Sequence, residues 1–205
     1  MVKFLKVTKY VIQSGNIKRY PDKARKFFSE VFLDLGKTPN FLICLFATPR
    51  EDWEGKFEED KSVFKGFFKE GVSPNFDLAI PDTFSHQVSR AGAIYIHGGD
   101  DHLMMYWLRK FDLPEIWQGK VVSTSSASSH ALSKSFWTCD WRACMEGLGI
   151  LPIKFIAHYK SDYGANDPRG PIDWDKAYKD LKNYDDKSLP IYALPEGEYE
   201  VFNTT

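Results

Sequence analysis

Short apolar runs and amphipathic stretches take turns along this chain. VTKYVIQSG (7–15) is β-branched and stops at a Ser-Gly turn, the pattern of a strand. PDKARKFFSEVFLDLG (21–36) opens on Pro, repeats its apolar residues at helical spacing and ends at Gly36. FLICLFATP (41–49) is a continuous apolar run, expected of a central parallel strand covered on both faces. A charged amphipathic helix follows from about Trp53 to Lys69. FDLAIP (76–81), AGAIYIHGG (91–99), KVVSTS (120–125), KFIAHY (154–159) and LPIYALPEG (189–197) read as further strands. DHLMMYWLRKF (101–111) and IDWDKAYKDLKNY (172–184) read as helices, and EYEVFN (198–203) as the return arm of a terminal hairpin. Tyr106, Trp107, Phe111 and Trp117 fall at helix-like spacing with Leu103 and Leu108 and are assigned mostly to the core. Repeated βα units imply an α/β fold: a three-layer sandwich around an open, mostly parallel sheet with helices on both faces. There is no repeat, long linker or low-complexity segment, so residues 1–205 read as a single domain.

Ligands of such sheets bind outside the carboxyl ends of the strands. That rule selects Gly98, Gly99, Asp100, Ser125, Ser126, His158 and Glu196, each near the end of an expected strand. KVVSTSSASSHALSK (120–134) runs from strand into helix through small residues. Two readings stay open on pattern alone. The serines form a polar turn with an N-cap, or one of them is a nucleophile at a tight strand-to-helix elbow. His158 is a structural histidine or a general base facing the same rim. Glu196 lies in a surface turn or orients that histidine. The Gly98-Gly99 pair lets backbone amides approach a ligand closely. Asp100 or Asp101 is read as the cap of the following helix and not as a metal ligand.

Bulk properties narrow the classes. The chain has 205 residues, 43% of them hydrophobic and 27% charged, and a formal charge of -1. There is no global basic field to hold nucleic acid or an anionic membrane surface. Cys44, Cys139 and Cys144 form no CxxC pair, which suits a reducing compartment and argues against a zinc site. MVKFLKVTKYVIQSG shows no leader pattern, and no apolar run approaches the roughly 20 residues needed to span a bilayer. The expectation is a cytoplasmic protein without metal or organic cofactor. A homodimer remains open.

Four segments in order, AIYIHGGDDHLMMYWL, GKVVSTSSASSHALSK, GLGILPIKFIAHY and IYALPEGEYEVF, resemble the peptidase E (aspartyl dipeptidase) and cyanophycinase family of the class I glutamine amidotransferase-like group. The resemblance covers roughly residues 90 to 202 by motif and implies a flavodoxin-like central sheet. The family elbow reads Gly-x-Ser-Ala-Gly-Ala. Aligning Ala127 with its first alanine makes Ser126 the nucleophile; the rival register would use Ser125. His158 then matches the catalytic histidine and Glu196 the acid of a Ser-His-Glu triad, with Asp140 the alternative acid. Gly99 and the amide of Ala127 would form the oxyanion hole, with Gly98, Asp100 and Arg169 as expected substrate contacts. The implied activity is hydrolysis of a dipeptide or small amide.

Thr124, Ser128 and Ser129 stand where the family has Gly, Gly and Ala. That departure motivates the alternative, a catalytically inactive member that binds a small ligand or a protein partner. Asp173 falls near the position of a family arginine, so preference for N-terminal aspartate does not carry over. A working site requires the Ser126 hydroxyl within about 3 to 4 Å of a His158 nitrogen.

Overall fold

The computed structural model describes residues 7–205. Residues 1–6, part of the stretch read for a leader, lie outside the described residues. In chain order the elements are β1 Thr8–Gln13, α1 Pro21–Val31, β2 Asn40–Cys44, α2 Trp53–Lys65, β3 Asn75–Leu78, α3 Phe84–Arg90, β4 Ala93–Ile96 and α4 Asp101–Leu108. They continue with β5 Val121–Ser125, α5 Ala127–Leu132, β6 Ser133–Thr138, β7 Ala143–Glu146, β8 Leu151–Ile156, α6 Trp174–Asn183, β9 Ile191–Ala193 and β10 Tyr199–Thr204.

The main sheet has the order β10-β1-β5-β4-β2-β3 and is parallel except for β10, which runs antiparallel to β1. Parallel neighbours share a face residue by residue. Phe41, Ile43 and Tyr95 therefore point to one side, where Phe28 of α1 and Phe64 of α2 meet at a ring separation of 4.8 Å. Phe64 lies 5.1 Å from Tyr95. On the other side Phe46 packs against Phe84 of α3 at 5.2 Å and Trp107 of α4 at 5.7 Å. These two aromatic layers on either side of the sheet make the three-layer sandwich. Fully burying a ring of this size contributes about 1.5–3 kcal/mol. Trp117 is fully buried, whereas Tyr106, grouped with the same cluster, is 56% exposed.

The sequence pattern is corrected at three places. β10 closes no hairpin with β9; it completes the main sheet beside β1. α3 goes unread because Phe84 and Val88 are its only buried residues, too few to show a period. The single sheet is in fact two. β7-β6-β8-β9 form a smaller sheet, parallel except for β7. α5 ends at Leu132 and the chain enters β6 at Ser133 with no turn between. Gly147 permits that junction: a Cβ there would meet the Ser133 carbonyl oxygen at 2.1 Å. α6 docks on this second sheet through Lys154 of β8, fully buried, whose ammonium donates to Leu181 O at 2.9 Å and to Tyr184 O. A cation at the carbonyl end of a helix is stabilised by the helix dipole.

Candidate active site

β5 is central in the main sheet, and the chain turns out of it at Ser126. This residue has φ 52° and ψ -112°, a sparsely populated conformation that costs on the order of 1–3 kcal/mol and persists only where its surroundings impose it. Ser126 N donates to Gln13 O of β1 at 2.9 Å, and Ser126 O accepts from His130 N at 3.0 Å. The hydroxyls that replace the expected small residues are all engaged. Ser128 Oγ accepts from Ser125 N at 2.7 Å and donates to Ile96 O at 2.5 Å. Thr124 Oγ1 and Ser129 Oγ share a hydrogen bond of 2.7 Å, and Ser129 Oγ donates to Gln13 O at 2.8 Å. These bonds tie the ends of β1, β4 and β5 to the first turn of α5. Close approach is also secured from β4: a Cβ on Gly98 would lie 2.6 Å from Ser125 O.

β8 stops at Ile156, so His158 lies two residues beyond the strand rather than at its end, with φ 55°. Its backbone N–H donates to Ser14 Oγ at 2.7 Å, and Ser14 Oγ donates to Leu194 O at 2.6 Å. Its ring lies between Gly15 and Tyr163. A Cβ on Gly15 would come within 2.3 Å of the imidazole, and Tyr163 stacks on it with centroids 4.2 Å apart. Held in this way, His158 Nε2 faces Ser126 Oγ at 3.0 Å and Nδ1 faces Glu196 Oε1 at 2.9 Å. Asn16 Nδ2 donates to the same Oε1 at 2.6 Å.

Burial lowers the proton affinity of His158 and outweighs the opposing pull of Glu196. The imidazole is thus held below its ordinary value and is neutral at pH 7. Burial pushes Glu196 the other way, but its hydrogen bonds from Asn16 and His158 prevail and hold the carboxyl below its ordinary value. With Nδ1–H donated to the carboxylate, Nε2 presents its lone pair to the serine hydroxyl.

Ser126 and His158 border a cavity of about 730 Å³, lined also by Asn16, Gly98, Gly99 and Tyr163, with Glu196 behind the imidazole. Gly99 has φ 146°, and a Cβ there would strike Ala47 O at 2.4 Å. Ala127 opens α5, so its amide is one of the first-turn N–H groups without an intrahelical acceptor. Gly99 and Ala127 border one small void together with Ser126.

Other expected residues stand elsewhere. Ser125 lines the cavity, but Ser126 is the serine that meets His158. Asp140 accepts from Tyr163 OH at 3.0 Å, and Glu196, not Asp140, holds Nδ1 of His158. Asp100 caps α4, accepting from Leu103 N at 2.7 Å. Arg169 is tied to Asp167 and to Asp140 O and is not among the cavity-lining residues. Asp173, at the position compared with a family arginine, caps α6.

Ser14, Gly15, Asn16 and Tyr163 went unrecognised. The first three follow β1, which pairs directly with β5, so the strand-end rule that selected the other residues applies to them equally.

A second histidine–carboxylate pair lies beneath α5. His130 Nδ1 meets Asp101 Oδ1 at 2.9 Å, and Thr138 Oγ1 donates to Asp101 Oδ2 at 2.5 Å. The other ring nitrogen of His130 accepts from Ala157 N at 3.3 Å, and the ring stacks on Phe136 at 4.6 Å. Among the described residues no group of three or more His, Cys, Asp or Glu converges as a metal-ligand set. No described helix is long and apolar enough to cross a membrane.

No family model matches this chain. No curated protein matches it either. Solved structures do. A peptidase from an acI-B1 Actinobacterium superposes with a TM-score of 0.60 at 21% identity, over 98% of this chain and 85% of that one. A protein with the provisional name peptidase E from Listeria monocytogenes EGD-e gives a TM-score of 0.60 at 15% identity, over 97% of this chain and 98% of that one. The chain thus has a flavodoxin-like α/β fold similar to that of these two proteins.

Proposed function

We propose that the chain is a serine hydrolase of peptidase E type that cleaves a peptide or small amide bond. The observation that carries this reading is the continuous relay Ser126 Oγ to His158 Nε2 at 3.0 Å and His158 Nδ1 to Glu196 at 2.9 Å, whose serine and histidine line the 730 Å³ cavity. The peptidase descriptions of the two similar structures lend support.

In this mechanism the Ser126 hydroxyl attacks the substrate carbonyl as His158 Nε2 takes its proton. The tetrahedral oxyanion forms toward the amides of Gly99 and Ala127, where the N-terminus of α5 favours negative charge. His158 then passes the proton to the leaving amine. Water, deprotonated by His158, cleaves the acyl-Ser126 ester and restores the hydroxyl. Glu196 keeps Nδ1 protonated and stabilises the imidazolium throughout. Engagement of every hydroxyl at Thr124, Ser128 and Ser129 favours this reading over an inactive elbow, since the added side chains brace the turn.

A fluorophosphonate probe tests it. Stoichiometric labelling confined to Ser126, abolished by Ser126→Ala and by prior acid denaturation, is the expected result. Unchanged labelling of Ser126→Ala would sink the assignment.

A further inference from the structure

His97 stands between β4 and the Gly98-Gly99 pair and has no part in the mechanism above. Its backbone N–H donates to Cys44 O at 2.9 Å, and its ring meets that of Tyr95 edge-on at 6.0 Å. Nδ1 lies 2.8 Å from Gly98 O, the carbonyl of the next residue, and Nε2 lies 3.6 Å from Asp60 Oδ2 of α2. Asp60 is fully buried, and its other oxygen is 2.7 Å from the Lys18 ammonium. Burial holds the imidazole below its ordinary value against the pull of Asp60, so at pH 7 only one ring nitrogen carries hydrogen. The distances select which one. A bare Nδ1 at 2.8 Å from a carbonyl oxygen would set two lone pairs against each other, whereas 3.6 Å is too long for a hydrogen bond from Nε2. Lys18 already balances the charge of Asp60. Nδ1–H therefore donates to Gly98 O.

That bond fixes a peptide plane. In a trans peptide the C=O and the following N–H point in opposite directions. Holding Gly98 O toward His97 turns the Gly99 N–H away from it. Among the described residues that N–H has no protein acceptor, and Gly99 borders the small void beside Ser126. Glycine on both sides leaves the plane free to rotate, so a side chain has to hold it.

We infer that His97 is a positioning residue, whose hydrogen bond to Gly98 O aims the Gly99 N–H at the oxyanion formed at Ser126. The inference rests on the hydrolase reading for the oxyanion, and not for the held peptide plane. Donation to Gly98 O also polarises the Gly99 N–H and strengthens it as a donor.

The test compares the parent chain with His97→Ala, His97→Asn and His97→Gln. Asparagine places its amide nitrogen where Nδ1 stands, and glutamine reaches the position of Nε2. One readout is the second-order rate of fluorophosphonate labelling at Ser126, in which the phosphoryl oxygen takes the place of the carbonyl oxygen. The other is NMR of the imidazole nitrogens and of the Gly99 amide. In the parent at pH 7, Nδ1 of His97 is expected to carry hydrogen. Labelling should slow by about ten- to a hundredfold in the alanine and glutamine variants, less than the loss of a whole oxyanion donor, and asparagine should largely restore it. The Gly99 amide shift should move and return in the same order. A merely structural role would lower the thermal midpoint and the rate together in all three variants. Hydrogen on Nε2 alone, labelling of His97→Ala as fast as that of the parent, or asparagine no better than glutamine overturns the inference. An unlabelled parent in which Nδ1 carries hydrogen and the Gly99 amide responds to His97→Ala but not to His97→Asn defeats the hydrolase reading instead, and leaves His97 as the residue that holds the peptide plane.

Discussion

Two histidines in this molecule hold a carboxylate at the same distance. His158 meets Glu196 and His130 meets Asp101, both at 2.9 Å. Both rings are stacked on an aromatic side chain and both are buried. The difference lies at the opposite nitrogen. That of His158 faces a hydroxyl at the wall of a cavity, whereas that of His130 accepts the backbone N–H of Ala157. A histidine–carboxylate pair is therefore no sign of catalysis in itself. What the free nitrogen meets, and whether a substrate can reach it, separates a proton relay from a clamp. The clamp serves the relay here, because Ala157 immediately precedes His158.

The two pairs should fail in different ways. Glu196→Gln leaves a side chain of the same shape but removes the charge that stabilises the imidazolium, and turnover should fall by about 10⁴-fold with little loss of thermal stability. A loss below tenfold would mean that the pair at the cavity is only a clamp. Asp101→Ala is expected to act on the fold instead. It strips His130 and Thr138 of a buried acceptor and should cost about 3 kcal/mol in urea unfolding, with labelling of Ser126 retained in the protein that remains folded. If that variant keeps its stability and loses labelling, the distinction collapses.

Gly15→Ala probes the packing of the relay. The new Cβ would lie 2.3 Å from the His158 ring, so the imidazole must shift, and a displacement of about 1 Å costs roughly 10²-fold in rate. The unfolding midpoint should fall as well, because Gly15 has φ 119°, a conformation strained for alanine. The smallest effect is that of pH. Burial holds His158 below its ordinary value and the hydrogen bonds of Glu196 hold its carboxyl down. Each group then takes up its proton at lower pH when folded than when unfolded. The stability it contributes is present above its unfolded pKa and is lost as pH falls through the folded one. Rate profiles should show an acid limb whose midpoint lies below 6.5, the ordinary histidine value. A midpoint above it would contradict the burial of the ring.

Much of this was legible in the residues. A continuous apolar run marked β2 as an interior strand because both of its faces are covered. Small side chains between KVV and ALS drew attention to the serines of that turn, and the resemblance, through Ala127 and LPEG, singled out Ser126 and Glu196. The second sheet was not legible, for a physical reason. β6 follows α5 with no turn residue, and its Ser133 and Ser135 are buried polar residues that break the apolar signal. β7 is a short edge strand with no fully buried residue. Asn16 was hidden by its setting. Ser-Gly-Asn looks like any polar turn until β1 is known to lie beside β5, and only three-dimensional neighbourhood gives its amide a carboxylate to hold. The hydroxyls of Ser128 and Ser129 likewise reach partners outside the local sequence, the carbonyls of Ile96 and Gln13.

The bond between Asn16 and Glu196 joins residues 180 apart in sequence, as does that between Ser14 and Leu194. The elbow also holds bonds within itself, Ser125 to Ser128 and Thr124 to Ser129, beside those to Gln13 and Ile96. Contacts of great sequence separation carry the largest loop-closure entropy and form late. A refolding chain should therefore recover its strands and helices before it recovers a reactive serine. Labelling of Ser126 then becomes a clock for the last step of folding, the moment when β10 closes beside β1 and brings the carboxylate with it.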